Sequence, residues 1–170
     1  MSEYSRTDLT GSDFRGVDLS GELLAHSTIS GCRFGRCVGT NFVYAKGTGI
    51  DFHGADITGA TFERADATVL SCLIGARWNG REITHVSGWI TRHAEDADRF
   101  GYWSFATNAF VTIGCMTRPL AEWEAIGQDL DTLRVLHEEQ PKIDLAMTLA
   151  WWKANRDAIV RTVQSFQSGE

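Results

Sequence analysis

The sequence predicts a chain in two parts: a solenoid of stacked coils over residues 7 to about 79, then an α+β unit over residues 80–170. Two observations predict it. Large apolar residues recur at strict five-residue spacing, at Leu9, Phe14, Leu19, Leu24, Ile29 and Phe34, a period that neither an α-helix nor a β-strand generates, since theirs are about 3.6 and 2 residues. Self-similarity at a fixed period is the signature of a repeat architecture. From Gly80 onward the rule stops, and β-type stretches rich in aromatic and β-branched residues give way to helical ones.

The repeat has companion positions. Two residues before the large apolar ones stand Thr7, Ser12, Val17, Glu22, Ser27 and Cys32, and Asp8, Asp13 and Asp18 stand one residue before the first three. After Phe34 the frame breaks: the next strong apolar residue, Phe42, lies eight positions on, which reads as three extra residues around Cys37–Gly39. The second run continues through Gly47, Phe52, Ile57, Phe62, Ala67 and Cys72, with Thr40, Ala45, Ile50, Ala55, Ala60, Ala65 and Leu70 two residues earlier. Thirteen units result, covering residues 7 to about 79.

These units resemble the pentapeptide-repeat family, whose motif is a small residue, then Asn or Asp, then Leu or Phe, then two polar residues. The resemblance implies a right-handed quadrilateral β-helix of about three coils, with each unit forming one side and its central and small residues pointing inward. A narrow coil has room for one large side chain per side when its inward neighbour is small. Each end of such a stack requires a cap. Glu22 in a small-residue slot, and Gly47 and Ala67 in central slots, predict a coil that loosens there. Cys32 and Cys72 read as inward packing residues and His26 and His53 as outward surface residues. Some members of the family inhibit DNA topoisomerases by imitating an acidic duplex. At roughly 4.8 Å per coil and about 3.4 Å per base pair, a stack this short imitates fewer than about five base pairs.

Charge narrows the function classes further. Residues 1–79 carry nine acids against seven bases and residues 80–170 thirteen against nine. Neither part is basic, so direct nucleic-acid binding is disfavoured. No uninterrupted apolar run reaches membrane length, and the expected location is the cytoplasm, or the host cytosol for a phage-encoded chain. Cys32, Cys37, Cys72 and Cys115 match no zinc spacing, and a cytosolic chain keeps thiols reduced. No metal and no cofactor is expected.

In the second part, strands are predicted at Arg81–Val86, Gly88–His93, Arg99–Phe105 and Ala109–Ile113, the last ended by Gly114-Cys115. Thr117 as N-cap and Pro119 predict a short helix near Leu120–Ile126 carrying Trp123 inward. Further helices are predicted at Leu130–Glu139 and from Pro141 to about Phe166. The last is apolar on nearly every side around Ile143, Met147, Trp151 and Trp152, the pattern of a helix buried centrally or shared with another chain. The run from Phe110 to Trp123, with Trp151-Trp152, resembles a module of small bacteriophage and prophage proteins of undefined function. It implies a phage origin and no chemistry.

Three candidate sites emerge. Cys115 before a helix start is a possible nucleophile, but no elbow surrounds it and no pattern assigns His85 or His93 as its base, so no catalytic residue is expected. Trp89, Tyr102, Trp103 and Trp123 could wall a pocket with Arg92, His93, Arg99 and Arg118 as anion contacts, suited to a nucleotide. The acidic loop Glu95-Asp96-Ala97-Asp98 reads as a solvated hairpin tip. The leading expectation is a non-enzymatic interaction or scaffold protein, a homo-oligomer through Ile143, Met147, Trp151 and Trp152. The alternatives are a phage anti-defence sponge for a signalling nucleotide and a DNA-mimic topoisomerase inhibitor.

Overall fold

The computed structural model describes residues 4–91, 104–113, 116–126 and 145–168. Through residues 4–78 the chain returns on itself about every 20 residues, and successive passes pair in parallel. The Leu9 amide donates to the Thr28 carbonyl, the Leu24 amide to Asn41 and the Phe42 amide to Thr61, each at 2.8 Å. Bridges link Asp13 to Arg33 to Asp51, and Asp18 to Arg36 to Asp56 to Arg77. The fold of this part is β-helix-like. Its longer extended stretches are β1 (Asp13–Asp18) and β2 (Arg33–Arg36); elsewhere a turn interrupts each unit before a strand can lengthen.

The large apolar side chains stack in rows through the interior. Phe34 lies between Phe14 (5.6 Å, 13°) and Phe52 (4.7 Å, 14°), and Phe42 lies on Phe62 (5.1 Å, 3°). The two rows meet edge to face, Phe34 against Phe42 at 5.4 Å and 85°, a preferred aromatic geometry. Ala45, Ala55, Ala60 and Ala65 are buried beside them, as the inward small residues of the motif require. Where the small residue is polar it donates to the pass beneath: Ser27 to the Tyr4 carbonyl, Thr40 to Leu19 at 2.7 Å and the Cys32 thiol to Leu9 at 3.0 Å. Each buried donor thereby keeps a partner.

The frame break is a shortening, which corrects the expected insertion of three residues. Cys37 is itself fully buried, and the pairing of Phe14 with Phe34 is followed by that of Asp18 with Arg36. A unit of three residues, Phe34 to Cys37, thus lies over one of five, Phe14 to Leu19. The two surplus residues of β1 bulge outward, which puts Val17 at 42% exposure although its position in the motif is inward. Gly35 makes room for the bulge, since a Cβ there would stand 2.5 Å from the Arg15 carbonyl oxygen.

Two further expectations change. Gly47 is not an underfilled slot: a Cβ on it would lie 2.7 Å from the Ser30 nitrogen, so the backbone closes onto the pass beneath and fills the space itself. Ala67 and Cys72 are not central residues. The short helix α1 (Ala67–Ser71) interrupts the period, Ala67 is exposed and Cys72 half-buried, and Val69, Leu70, Leu73 and Ala76 take the interior.

The last pass ends in the hairpin of β3 (Arg77–Trp78) and β4 (Arg81–Glu82). Asn79 and Gly80 supply its turn with φ of 48° and 75°, the positive-φ pair that suits a two-residue hairpin. This replaces most of the predicted strand at Arg81–Val86. An antiparallel sheet follows in the order β5 (Val86–Thr91), β6 (Ser104–Thr107), β7 (Val111–Ile113) and β8 (Met116–Arg118). β8 was not expected. Thr117, predicted as a helix cap, pairs with Thr112 across the sheet, their hydroxyls 2.9 Å apart.

The helices α2 (Leu120–Ile126) and α3 (Leu145–Ser168) follow, α2 with the expected bounds. The predicted helix at Leu130–Glu139 lies outside the described residues. The sheet is covered on both faces. Phe105 meets Phe62 edge on at 6.4 Å and Phe110 packs on Trp78 at 5.3 Å, continuing the aromatic interior of the repeats. On the other face Ala106, Val111 and Ile113 cluster with Trp123, Trp152, Ile159 and Val163. No helix among the described residues is long and apolar enough to cross a membrane.

Candidate interaction surface

Outward positions of the repeats are ordered by the turn chemistry beneath them. Where Asp or Asn precedes a central position it caps its own turn: the Asp8, Asp13, Asp18, Asn41, Asp51 and Asp56 side chains accept the amide two residues on, at 2.9–3.1 Å. This is the Asx-turn that Asp and Asn make best, and it is the physical content of the motif's Asp/Asn position. Hydrogen bonds from Thr10, from Arg15 and from Ser20 hold the carboxyls of Asp8, Asp13 and Asp18 below the usual carboxylate range.

A pH dependence follows with a definite sign. Groups whose folded pKa is depressed contribute stability that is fully present above the unfolded value, about 3.9, and lost as pH falls toward their folded values. Denaturation midpoints should therefore fall as pH drops from 5 to 2. In Asp13→Asn, which keeps the amide acceptor but cannot titrate, that fall should be shallower. An unchanged slope would show that Asp13 does not contribute to it.

Two outward rows alternate in charge. Arg33 lies 3.7 Å from Asp13 with Asp51 above it, and Arg36 lies 3.2 Å from Asp18 and 4.0 Å from Asp56, with Arg77 above that. These exposed pairs add little stability. Their consequence is electrostatic: neither row is a continuous anionic stripe.

The row of units at Leu24, Phe42 and Phe62 is built differently. Two residues after most central positions the chain takes a left-handed conformation, and Gly11, Gly21, Gly31, Gly39, Gly49, Gly54 and Gly59 occupy that corner with φ between 64° and 76°. On this row the corner residues are Arg6, His26, Tyr44 and Arg64, with φ of 57°, 60°, 57° and 56°. Side chains other than Gly in this region cost roughly 1 kcal/mol or more each. The four form one column: His26 stacks on Tyr44 at 4.5 Å and 10°, and Arg64 sits 5.3 Å from the Tyr44 ring centre and donates to its hydroxyl. Glu63 lies 3.8 Å from Arg64. The Arg6 guanidinium has no hydrogen bond or ion pair among the described residues. Leu23 and Tyr44, two of the exposed large apolar residues, belong to this row.

In the sheet and helices, a cavity of about 370 Å³ opens between the β6–β7 turn and helices α2 and α3, with Arg81, Asn108, Phe110, Glu124, Val163 and Gln164 among its walls. It is not the aromatic pocket expected from the sequence. Trp123 is 2% exposed, its indole donates to the Val111 carbonyl at 3.0 Å, and it packs against Trp152 at 5.8 Å. Both indoles are interior, so Trp123 offers no open wall and Trp152 no outward face. Arg118 is ion-paired with Glu122 at 3.1 Å. Trp89 lies opposite Phe105 in the pairing of β5 with β6. Arg92, His93, Arg99, Tyr102, Trp103, the acidic loop 95–98, Cys115 and Ile143 lie outside the described residues. Met147 and Trp151 fall within α3.

Among the described cysteines, burial pushes the Cys37 thiol up to about 12 and raises Cys32 as well, the reverse of what a thiolate nucleophile requires. No group of three or more His, Cys, Asp or Glu placed to hold a metal occurs among the described residues.

Residues 5–38 and 36–68 match the family model of pentapeptide repeats, in eight copies. This part of the chain is therefore a pentapeptide-repeat segment. No curated protein and no solved structure matches the chain, and the resemblance of residues 110–152 to phage modules gains no relative from these comparisons.

Proposed function

We propose that the chain is a non-enzymatic interaction protein in which a short right-handed β-helix of square cross-section, about three coils tall, acts as a rigid platform. The observation that carries this reading is the corner column Arg6, His26, Tyr44 and Arg64, where exposed side chains are kept in a backbone conformation that the other rows give to Gly. Pentapeptide-repeat segments are typically protein-interaction scaffolds, and an interior packed with stacked rings gives such a surface a stiff base.

The other two readings have less support. Alternation of Asp and Arg along two rows works against imitation of a nucleic-acid backbone. The cavity sets Arg81 among walls that include the Glu124 carboxylate, a poor environment for several phosphates.

Self-association through the C-terminal helices is the narrower form of the proposal. Two features support it: residues 143–151 are apolar in sequence at Ile143, Leu145, Met147, Leu149 and Trp151, and farther along α3 the exposed residues include Lys153, Asp157, Arg161 and Gln164. Size-exclusion chromatography with light scattering should give at least a dimer mass, reduced to monomer by Met147→Lys. A strict monomer at high concentration would overturn self-association and leave the platform reading intact.

A further inference from the structure

The row that carries the platform reading also has a chemistry, and the inference here rests on that reading. Its column begins and ends on guanidinium groups, Arg6 and Arg64, with the stacked His26–Tyr44 pair between them. Arg64 is ordered in advance by Tyr44 and Glu63. Arg6 has no ion-pair partner among the described residues. Beside the column run the exposed Leu23 and the half-buried Ala25 and Val43. A partly apolar row with a guanidinium group at each end, on a chain of net charge −6, is matched by a ligand that is anionic at two points and apolar between them.

Spacing makes the match specific. Arg6 and Arg64 are separated by three steps between passes, about 14 Å at roughly 4.8 Å per step. An extended peptide rises about 3.3 Å per residue with alternate side chains on one face, so residues i and i+4 stand about 13 Å apart on the same face with residue i+2 between them. We propose that this row docks an extended segment of a partner protein bearing carboxylates four residues apart and an apolar residue midway. Carboxylates on guanidinium make the strong, charge-assisted hydrogen bonds, and the midway side chain would lie on the His26–Tyr44 pair and Leu23. A nucleic acid fits less well, since two guanidinium groups about 14 Å apart do not make a continuous basic track.

The test uses the full chain, isotope-labelled, titrated with the synthetic peptide Glu-Thr-Phe-Thr-Glu and followed by amide chemical shifts. Saturable shifts should concentrate at Arg6, Leu23, His26, Tyr44 and Arg64, weaken severalfold with added salt, and vanish for Gln-Thr-Phe-Thr-Gln. The double variant Arg6→Gly, Arg64→Gly should lose binding while its melting temperature stays level or rises, because Gly suits the left-handed corner. Shifts absent or centred elsewhere, or binding unchanged in the double variant, overturn the proposal. So would saturable binding of a single-stranded oligonucleotide at these residues with none of the peptide. Light scattering on the same samples reports self-association separately, so the failure of one claim does not disguise that of the other.

Discussion

Replacing Phe34 with Ala should lower the stability of the protein by about 3–5 kcal/mol, the range for deleting a fully buried aromatic ring. Phe34 is 1% exposed and sits where the two ring rows cross, stacked on Phe14 and Phe52 and edge-on to Phe42. Its neighbours are held by backbone pairing above and below, so the cavity cannot collapse easily. Chemical denaturation measures the loss. Phe14→Ala is the internal comparison: Phe14 is 8% exposed at the outer end of the row, with Tyr4 and Phe34 as its ring contacts, and should cost clearly less. Equal losses would show that the crossing of the rows adds nothing to burial.

Gly35→Ala should be the second costly change, by about 1–3 kcal/mol, the usual penalty for forcing an atom into a packed site. A Cβ at 2.5 Å from the Arg15 carbonyl oxygen meets backbone, which can move only by shifting the β1 bulge. The same substitution at Gly16, where a Cβ meets nothing within 4 Å, should leave the denaturation midpoint nearly unchanged. A tolerated Gly35→Ala would mean that the bulge is not held against β2 in solution.

Much of the repeat was legible because its physics is local. A five-residue period of large apolar residues suits neither helix nor strand and leaves stacked coils as the structure that buries it, and the inward small residues followed from the same register. The site was not legible, and the cause is the unit ending at Cys37. Reading three extra residues between Phe34 and Phe42, instead of one short unit, shifts every later residue by one row. Tyr44 and Arg64 then fall out of line with Arg6 and His26, and no column is visible. The signal was present in the sequence as a corner that is Gly in most units and another residue at every fourth.

In the second part, the Asn79-Gly80 hairpin turn could have been read from its dipeptide. β8 could not, because Met116–Arg118 is too short to show alternation and becomes a strand by pairing with β7. The surroundings of Trp123 were not legible for a similar reason. Composition does not say whether an indole faces a cavity or another indole, and Trp123 and Trp152 face each other.

The contact between Phe62 and Phe105 has a kinetic meaning as well. Inside the repeats each backbone bond closes a loop of about 20 residues, and loop-closure entropy grows slowly with length. Joining Phe62 to Phe105 closes a loop roughly twice as long. Passes can therefore assemble on one another from either end, and the sheet contact then closes the longer loop at a cost of about 0.6 kcal/mol more. Until then the last pass has an open edge, and that interval is when the nascent chain is most exposed to pairing with a neighbour.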